Sequence, residues 1–165
     1  MLAEAMNATS LCRLRYHTDI RSGGRRGAEF MHEQENLQVV HQAYTAFGEG
    51  DVPGVLAMLT EDVRWSTPGP PDVIPYAGLR TGHEQVAEYF ESFGGAVEVA
   101  AFEPQKFFAR NDMVVVLGHY ALSVKSTGKA VETDWVHAFT FRGRKIGEFR
   151  GYEDSAAVVA AFTKP

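Results

Sequence analysis

A strand, a tight turn and a second strand over residues 130–154 constrain the fold of this chain more than any other segment. Side chains alternate between the two faces of a strand, so one face of the first strand carries Thr133, Trp135, His137, Phe139 and Phe141. Residues 142–145, centred on Gly143, have the length of a hairpin loop. A chain that contains this hairpin builds an antiparallel sheet with one broad aromatic face.

The length of the loop also predicts which residues of the two strands face each other. Four pairs are expected: Phe141 with Ile146, Phe139 with Glu148, His137 with Arg150, and Trp135 with Tyr152. These side chains then share one surface, on which an imidazole, a guanidinium and a phenol lie among large apolar side chains. Small-molecule pockets are typically lined in this way.

Helices are predicted both before and after these strands along the chain. The pattern indicates a helix over residues 33–47, a short one capped by Asp51, a third starting at a Thr81–Glu84 capping box, and a last one capped by Asp154. Strands are predicted at 62–67, 97–108, 113–125, 132–141 and 146–152, and Tyr76 lies in a loop or short edge strand. Three helices followed by an antiparallel meander predict the α+β class.

Composition argues against several kinds of partner. The chain of 165 residues has the size of one domain, and its net charge of -5 gives no basic surface for nucleic acid. No stretch reaches the ~20 apolar residues of a membrane span, and no secretory signal is recognisable, so a cytoplasmic protein is expected. Residues 1–30 lack an apolar period and are predicted to be a disordered extension before a domain over residues 31–165.

Five stretches of the chain resemble a known superfamily. They are Tyr44-Thr-Ala-Phe-Gly-Glu-Gly-Asp51, Leu59-Thr-Glu-Asp-Val-Arg-Trp65, Tyr76-Ala-Gly-Leu-Arg-Thr-Gly82, Asp134-Trp-Val-His137 and Phe149-Arg-Gly-Tyr-Glu-Asp154. Over residues 33–163 the chain is similar to the nuclear transport factor 2-like superfamily, in its SnoaL-like, ketosteroid isomerase-related branch. The resemblance implies a cone, in which helices cover one face of a strongly curved sheet and leave a deep pocket. It also implies a homodimer through the opposite face of the sheet.

The same resemblance implies which positions carry chemistry in relatives, a group that includes isomerases, polyketide cyclases, epoxide hydrolases and dehydratases. The carboxylate base of the ketosteroid isomerases falls on Thr67, their tyrosine on Ala43 and their neutral aspartate on His137. The late aspartate of the epoxide hydrolases falls on Gly151. Neither named chemistry therefore transfers residue by residue, and fold alone does not give function.

The hairpin before residue 130 predicts which sheet face lines the pocket. A turn at residues 126–129 places Gly118 opposite His137, with open space above the imidazole, and Tyr120 opposite Trp135. The other face then carries His119, Asp134 and Phe149. We expect this outer face to be the dimer interface, although a shift of one residue would exchange the two faces.

These patterns yield a candidate site. Three residues are predicted to be catalytic: His137 as acid and base, Arg150 to stabilise oxyanion charge, and Tyr152. Six more are predicted to bind the ligand: Trp65, Tyr44, Tyr76, Tyr120, Trp135 and Phe139. A structural role is the alternative for each of these side chains. The histidines lack metal-ligand spacing and no phosphate-binding loop is present, so no metal or cofactor is expected.

Two functions remain open from the sequence. The first is the binding of a small, apolar, oxygen-bearing molecule, with cofactor-independent proton transfer such as isomerisation, cyclisation or dehydration. The alternative is a non-catalytic module for ligand binding or dimerisation on the same scaffold. The convergence of His137 and Arg150 favours the first, and the absence of carboxylates at Thr67 and Gly151 favours the second.

Overall fold

The computed structural model describes residues 24–164, in which helices pack against one open, curved sheet of six strands. The helices are α1 (Gly24–Glu49), α2 (Val52–Ala57), α3 (Gly82–Ala96) and α4 (Ser155–Phe162). The strands are β1 (Leu59–Thr67), β2 (Gly78–Thr81), β3 (Val97–Arg110), β4 (Met113–Val124), β5 (Ala130–Arg142) and β6 (Lys145–Glu153). The predicted α+β class is confirmed. No helix of this described part is long and apolar enough to cross a membrane.

Local capping chemistry positions two of the helices as predicted. Asp51 Oδ1 accepts a hydrogen bond from the Gly54 amide at 2.9 Å, and Asp154 Oδ1 accepts one from the Ala157 amide at 3.0 Å. The predicted capping box at Thr81 is wrong, because the Thr81 side chain caps no helix amide and the residue pairs with Arg64 of β1 as the last residue of β2. Gln85 Oε1 instead accepts from the Thr81 amide at 2.8 Å.

The first helix is longer than its apolar period indicates. It begins at Gly24, so residues 24–30, part of the predicted disordered extension, are helical in the structure. Residues 1–23, the rest of that extension, lie outside the described residues. Tertiary contacts of this helix with β3 and β4 place its Tyr44 side chain over the sheet.

The sheet has the strand order β2-β1-β6-β5-β4-β3. The meander from β3 to β6 is antiparallel, as predicted, whereas β1 runs parallel to its neighbour β6. The short edge strand β2 begins at Gly78, so Tyr76 lies in the loop before it. Irregular pairing within β3 and β6 bends these strands, which produces a concave face under the helices.

A bulge at Gly147 changes the pairing that the hairpin loop predicts. Phe141 lies opposite Ile146 as expected, but Thr140 is already opposite Glu148, which leaves Gly147 without a partner. The Arg142 side chain lies over Gly147, where a Cβ atom would approach Arg142 Cγ to 3.3 Å. Only glycine fits under this side chain without displacing it.

The bulge shifts the remainder of β6 by one residue and so exchanges its two faces. The predicted pairs of His137 with Arg150 and Trp135 with Tyr152 are wrong. His137 lies opposite Gly151 and Trp135 opposite Glu153, and Phe139 lies opposite Phe149. The residues at 149, 151 and 153 therefore face the helices, while those at 148, 150 and 152 face outward.

The pairing of β4 with β5 differs from the prediction by two residues, which preserves the faces. Gly118 lies opposite Trp135, and His119 lies opposite Asp134 on the outer face as predicted. Gly118 does not leave space above His137, because the Trp135 ring covers it. The Trp135 ring occupies the place where any other side chain at position 118 would stand.

Candidate functional site

A cavity of about 90 Å³ lies between the helices and the concave face of the sheet. Helix α1 contributes Tyr44 and Phe47, and α3 contributes Tyr89, Phe90 and Phe93. Six of the residues predicted for the site line this cavity, namely Tyr44, Trp65, Tyr76, Tyr120, His137 and Phe139. The space is large enough for several water molecules or a small organic group.

His137 and Tyr44 form the first polar feature of the cavity. Tyr44 Oη and His137 Nδ1 lie 2.9 Å apart. The imidazole stacks on the Trp135 ring at a centroid distance of 4.0 Å, and the Phe149 ring meets it edge-on at 4.9 Å. These rings exclude water from the imidazole, and this burial lowers the pKa of His137 to about 3. Burial also raises the pKa of Tyr44, so both groups are neutral near pH 7.

The charge state of this pair determines what the imidazole can do. Tyr44 keeps its proton, and His137 Nδ1 is its hydrogen-bond partner among the described residues. The tautomer that satisfies both groups has Tyr44 Oη donating to Nδ1, with the imidazole proton on Nε2. His137 therefore presents an N–H donor, and its neutrality comes from burial rather than from an adjacent arginine.

Glu153 is the site residue that sequence reasoning missed. Tyr120 Oη donates a hydrogen bond of 2.7 Å to Glu153 Oε2, and Glu153 lines the cavity. Burial raises the pKa of Glu153, although the bond from Tyr120 acts in the opposite direction. Burial and the nearby Glu153 charge raise the pKa of the Tyr76 hydroxyl too. The only sequence signal for this placement is Gly147, because a glycine inside a strand marks a bulge.

The apolar wall of the cavity includes Phe149, which the sequence pattern predicts on the outer face of the sheet. Phe149 was expected outside, but the Gly147 bulge turns it inward, where it is 3% exposed. Its ring stacks on Trp65 with centroids 3.9 Å apart, across the parallel pairing of β1 with β6. Phe149 therefore contributes to the cavity wall beneath His137.

Three predicted site residues lie outside the cavity lining. Arg150 faces outward, where its Nη2 contacts Glu148 Oε1 at 2.8 Å, and Tyr152 beside it is 52% exposed. The prediction that these two residues line the pocket is wrong, because the bulge reverses their face. Trp135 is buried, but it packs between Phe102 and His137 and supports the imidazole from below.

The four positions that the family resemblance singles out do line the cavity: Ala43, Thr67, His137 and Gly151. At three of them, Ala43, Thr67 and Gly151, the side chain supplies no base. Thr67 Oγ1 donates to the Tyr76 carbonyl oxygen at 2.9 Å, and neither alanine nor glycine titrates. Within residues 24–164, no three His, Cys, Asp or Glu side chains are grouped as metal ligands.

Comparison with known proteins identifies relatives of this architecture. The family model for the SnoaL-like domain matches residues 40–163. An NTF2-like protein from Burkholderia xenovorans is 37% identical, with a TM-score of 0.73 over 79% of this chain and 98% of that chain. An NTF2-like protein of unknown function from Burkholderia pseudomallei is 28% identical, with a TM-score of 0.72 over 78% of this chain and 98% of that chain.

A more distant likeness concerns the fold alone. A proposed polyketide cyclase from Xanthomonas campestris is 18% identical, with a TM-score of 0.68 over 80% of this chain and 99% of that chain. No curated protein matches the chain significantly. The cone-shaped α+β fold implied by the resemblance is confirmed by these structures.

Proposed function

Because this chain belongs to the family of SnoaL-like domains, we propose that its cavity binds a small, largely apolar molecule bearing a carbonyl-type oxygen. On that molecule the protein catalyses a proton transfer without a cofactor, as in isomerisation, cyclisation or dehydration. Fold membership does not define the reaction, so the proposal depends on the chemistry of the cavity itself.

The observation that carries this proposal is the neutral His137, held by Tyr44 in an aromatic cavity. An N–H donor at Nε2 binds a carbonyl oxygen and strengthens that bond as the oxygen gains negative charge. The surrounding rings exclude water, which increases the electrostatic value of the bond. A neutral imidazole is suited to this role, because it polarises a carbonyl without adding a buried charge.

This assignment changes the role predicted for His137. A histidine whose pKa is about 3 is a weak general base near neutral pH. His137 therefore acts as the hydrogen-bond donor to the oxygen, the role that the sequence pattern suggested for Arg150.

Cyclohexanone tests the proposal, because its α-hydrogens exchange with deuterium from D₂O when the ketone enolises. We expect the wild-type protein to bind cyclohexanone, with a rise in melting temperature, and to accelerate α-deuteration followed by ¹H NMR. His137→Phe should lower the exchange rate by about 10²-fold, the value of one oxyanion donor. Arg150→Ala is the matched control and should leave the rate unchanged.

The proposal is rejected if the wild-type protein neither binds cyclohexanone nor accelerates its exchange. Binding without exchange would instead support the non-catalytic alternative. An Arg150→Ala variant as slow as His137→Phe would also contradict the role given to His137.

The outer face of the sheet supports a second proposal, on assembly. This face exposes large apolar side chains, with Phe108 at 55%, Met113 at 42% and Tyr152 at 52% exposure. The apolar residues Val115, Leu117, Val136 and Ala138 lie between them on the same face, and an exposed apolar patch marks an interaction site. We propose that a second copy of the chain covers it, forming a homodimer.

A further inference from the structure

We propose that Glu153 is the acid/base residue of this cavity. This inference rests on the proposed function. It names the group that removes the proton from the ligand, a role that no residue carried over from the family resemblance can perform.

The position of Glu153 fits the distance that an enolisation requires. Glu153 lies opposite Trp135, and His137 lies opposite Gly151, so Glu153 and His137 are diagonal neighbours on the cavity face. Such neighbours are about 7–8 Å apart, with their side chains directed to the same side. A carbonyl oxygen at His137 Nε2 therefore leaves the adjacent carbon between the imidazole and the carboxyl group.

The hydrogen bonds of Glu153 leave one oxygen available. Tyr120 donates to Oε2, while Oε1 receives no hydrogen bond from residues 24–164. Lysine and arginine are absent from the described cavity lining, so the carboxylate has no cation to neutralise it there. The raised pKa of Glu153 is consistent with this isolation and favours proton uptake.

The burial of Glu153 is only partial, because its side chain is half-buried rather than sealed from solvent. Its carboxyl group can therefore exchange its proton with water when the cavity holds no ligand.

The proposed step is balanced within the site. The α C–H bond of the ketone breaks and its proton forms an O–H bond with Glu153, while the electron pair becomes the C=C bond of an enolate. The C=O bond becomes C–O⁻, stabilised by the hydrogen bond from His137 Nε2. The proton on Glu153 then returns to a carbon of the enolate, or exchanges with water before it returns.

Deuterium incorporation into cyclohexanone tests the assignment. With the full chain in D₂O, we expect Glu153→Gln to reduce α-deuteration by about 10²–10⁴-fold, the range for a general base, while cyclohexanone affinity stays within about threefold. Glu148→Gln, an outward-facing carboxylate on the same strand, is the control and should retain the wild-type rate.

Tyr120→Phe is a second variant with a different readout. The substitution removes the Tyr120 hydroxyl, whose hydrogen bond stabilises the carboxylate, so the pKa of Glu153 rises further. The midpoint of the pH dependence of exchange should then move to higher pH. The titratable groups that face Glu153 in the cavity are Tyr76, Tyr89, Tyr120 and His137.

The outcomes separate this inference from the proposed function. Wild-type exchange that persists in Glu153→Gln would overturn the role of Glu153 and leave the proposed function intact. If Glu153→Gln does not fold, an unchanged pH midpoint in Tyr120→Phe would overturn it equally. Absence of exchange by the wild-type protein would overturn both proposals.

Discussion

His137 lies directly opposite Gly151 in the pairing of β5 with β6, so no side chain stands across from the imidazole. The absence of a side chain at this position leaves space in the cavity, which both residues line. The same alignment brings Glu153 to the cavity face and sends Arg150 to the outer face. This alignment therefore fixes both the space in the cavity and the polar groups that face it.

Filling this space should block the cavity without unfolding the protein. A Cβ atom at Gly151 would make ordinary contacts, at 3.7 Å from Phe149 and from Pro68. We expect Gly151→Leu to weaken cyclohexanone binding at least about tenfold, because its side chain occupies the ligand space, with little change in the free energy of unfolding. Calorimetric titration measures the affinity, and Gly151→Ala is the smaller control. Undiminished binding by Gly151→Leu would place the ligand elsewhere.

A side chain added at Gly118 should destabilise the fold, unlike one added at Gly151, because the surroundings of Gly118 are tightly packed. A Cβ atom there would lie 2.6 Å from the Glu103 carbonyl oxygen and would clash with the Trp135 ring. That ring cannot move aside easily, because it is stacked between Phe102 and His137. Gly118→Ala should reduce the free energy of unfolding by about 1–3 kcal/mol, the usual cost of overpacking. Urea denaturation measures this change.

A glycine in open space provides the comparison for Gly118. A Cβ atom on Gly95, in helix α3, would meet nothing within 4 Å. Gly95→Ala should therefore stabilise the protein by about 0.5–1 kcal/mol, the difference between the two residues inside a helix. Equal stability of the Gly118→Ala and Gly95→Ala variants would contradict the tight packing beneath Trp135.

Burial of neutral His137 should make stability depend on pH. Its pKa falls from 6.5 to about 3 on folding, so between these values the unfolded chain binds a proton that the folded chain does not. The contribution of neutral His137 to the free energy of unfolding is therefore complete above pH 6.5. It is lost as the pH falls towards 3, by up to about 1.4 kcal/mol per pH unit. Urea unfolding between about pH 7 and pH 4 should show a shallower pH dependence for His137→Phe than for the wild type. Identical slopes would mean that His137 is solvated in the folded protein.

The outer sheet face should determine the oligomeric state. Val136 lies at the centre of this face, opposite Leu117 on one side and Tyr152 on the other. A glutamate there would place a charge in an apolar interface, so Val136→Glu should convert the proposed homodimer to a monomer. Light scattering after size-exclusion chromatography measures the mass, and Val136→Thr is the control of similar size. A wild-type protein that is monomeric at micromolar concentration would refute the dimer.

The sequence by itself determined the features that depend on neighbouring residues. The alternation of large and small side chains defined the strands, and Asp51 and Asp154 identified two helix starts through their hydrogen bonds to nearby amides. The placement of Tyr44, Trp65 and His137 around one cavity followed from these elements and from the family resemblance.

Only the tertiary structure decided which face of β6 lines the cavity. The Arg142 side chain lies over the bulge at Gly147, and its guanidinium is held by Asp62 of β1 through an Nη1–Oδ2 bond of 2.8 Å. That contact joins residues far apart in the chain, so no local pattern reveals it. Because the two faces of a strand alternate, a shift of one residue exchanged Arg150 for Glu153 and replaced the predicted cation of the site with a carboxyl group.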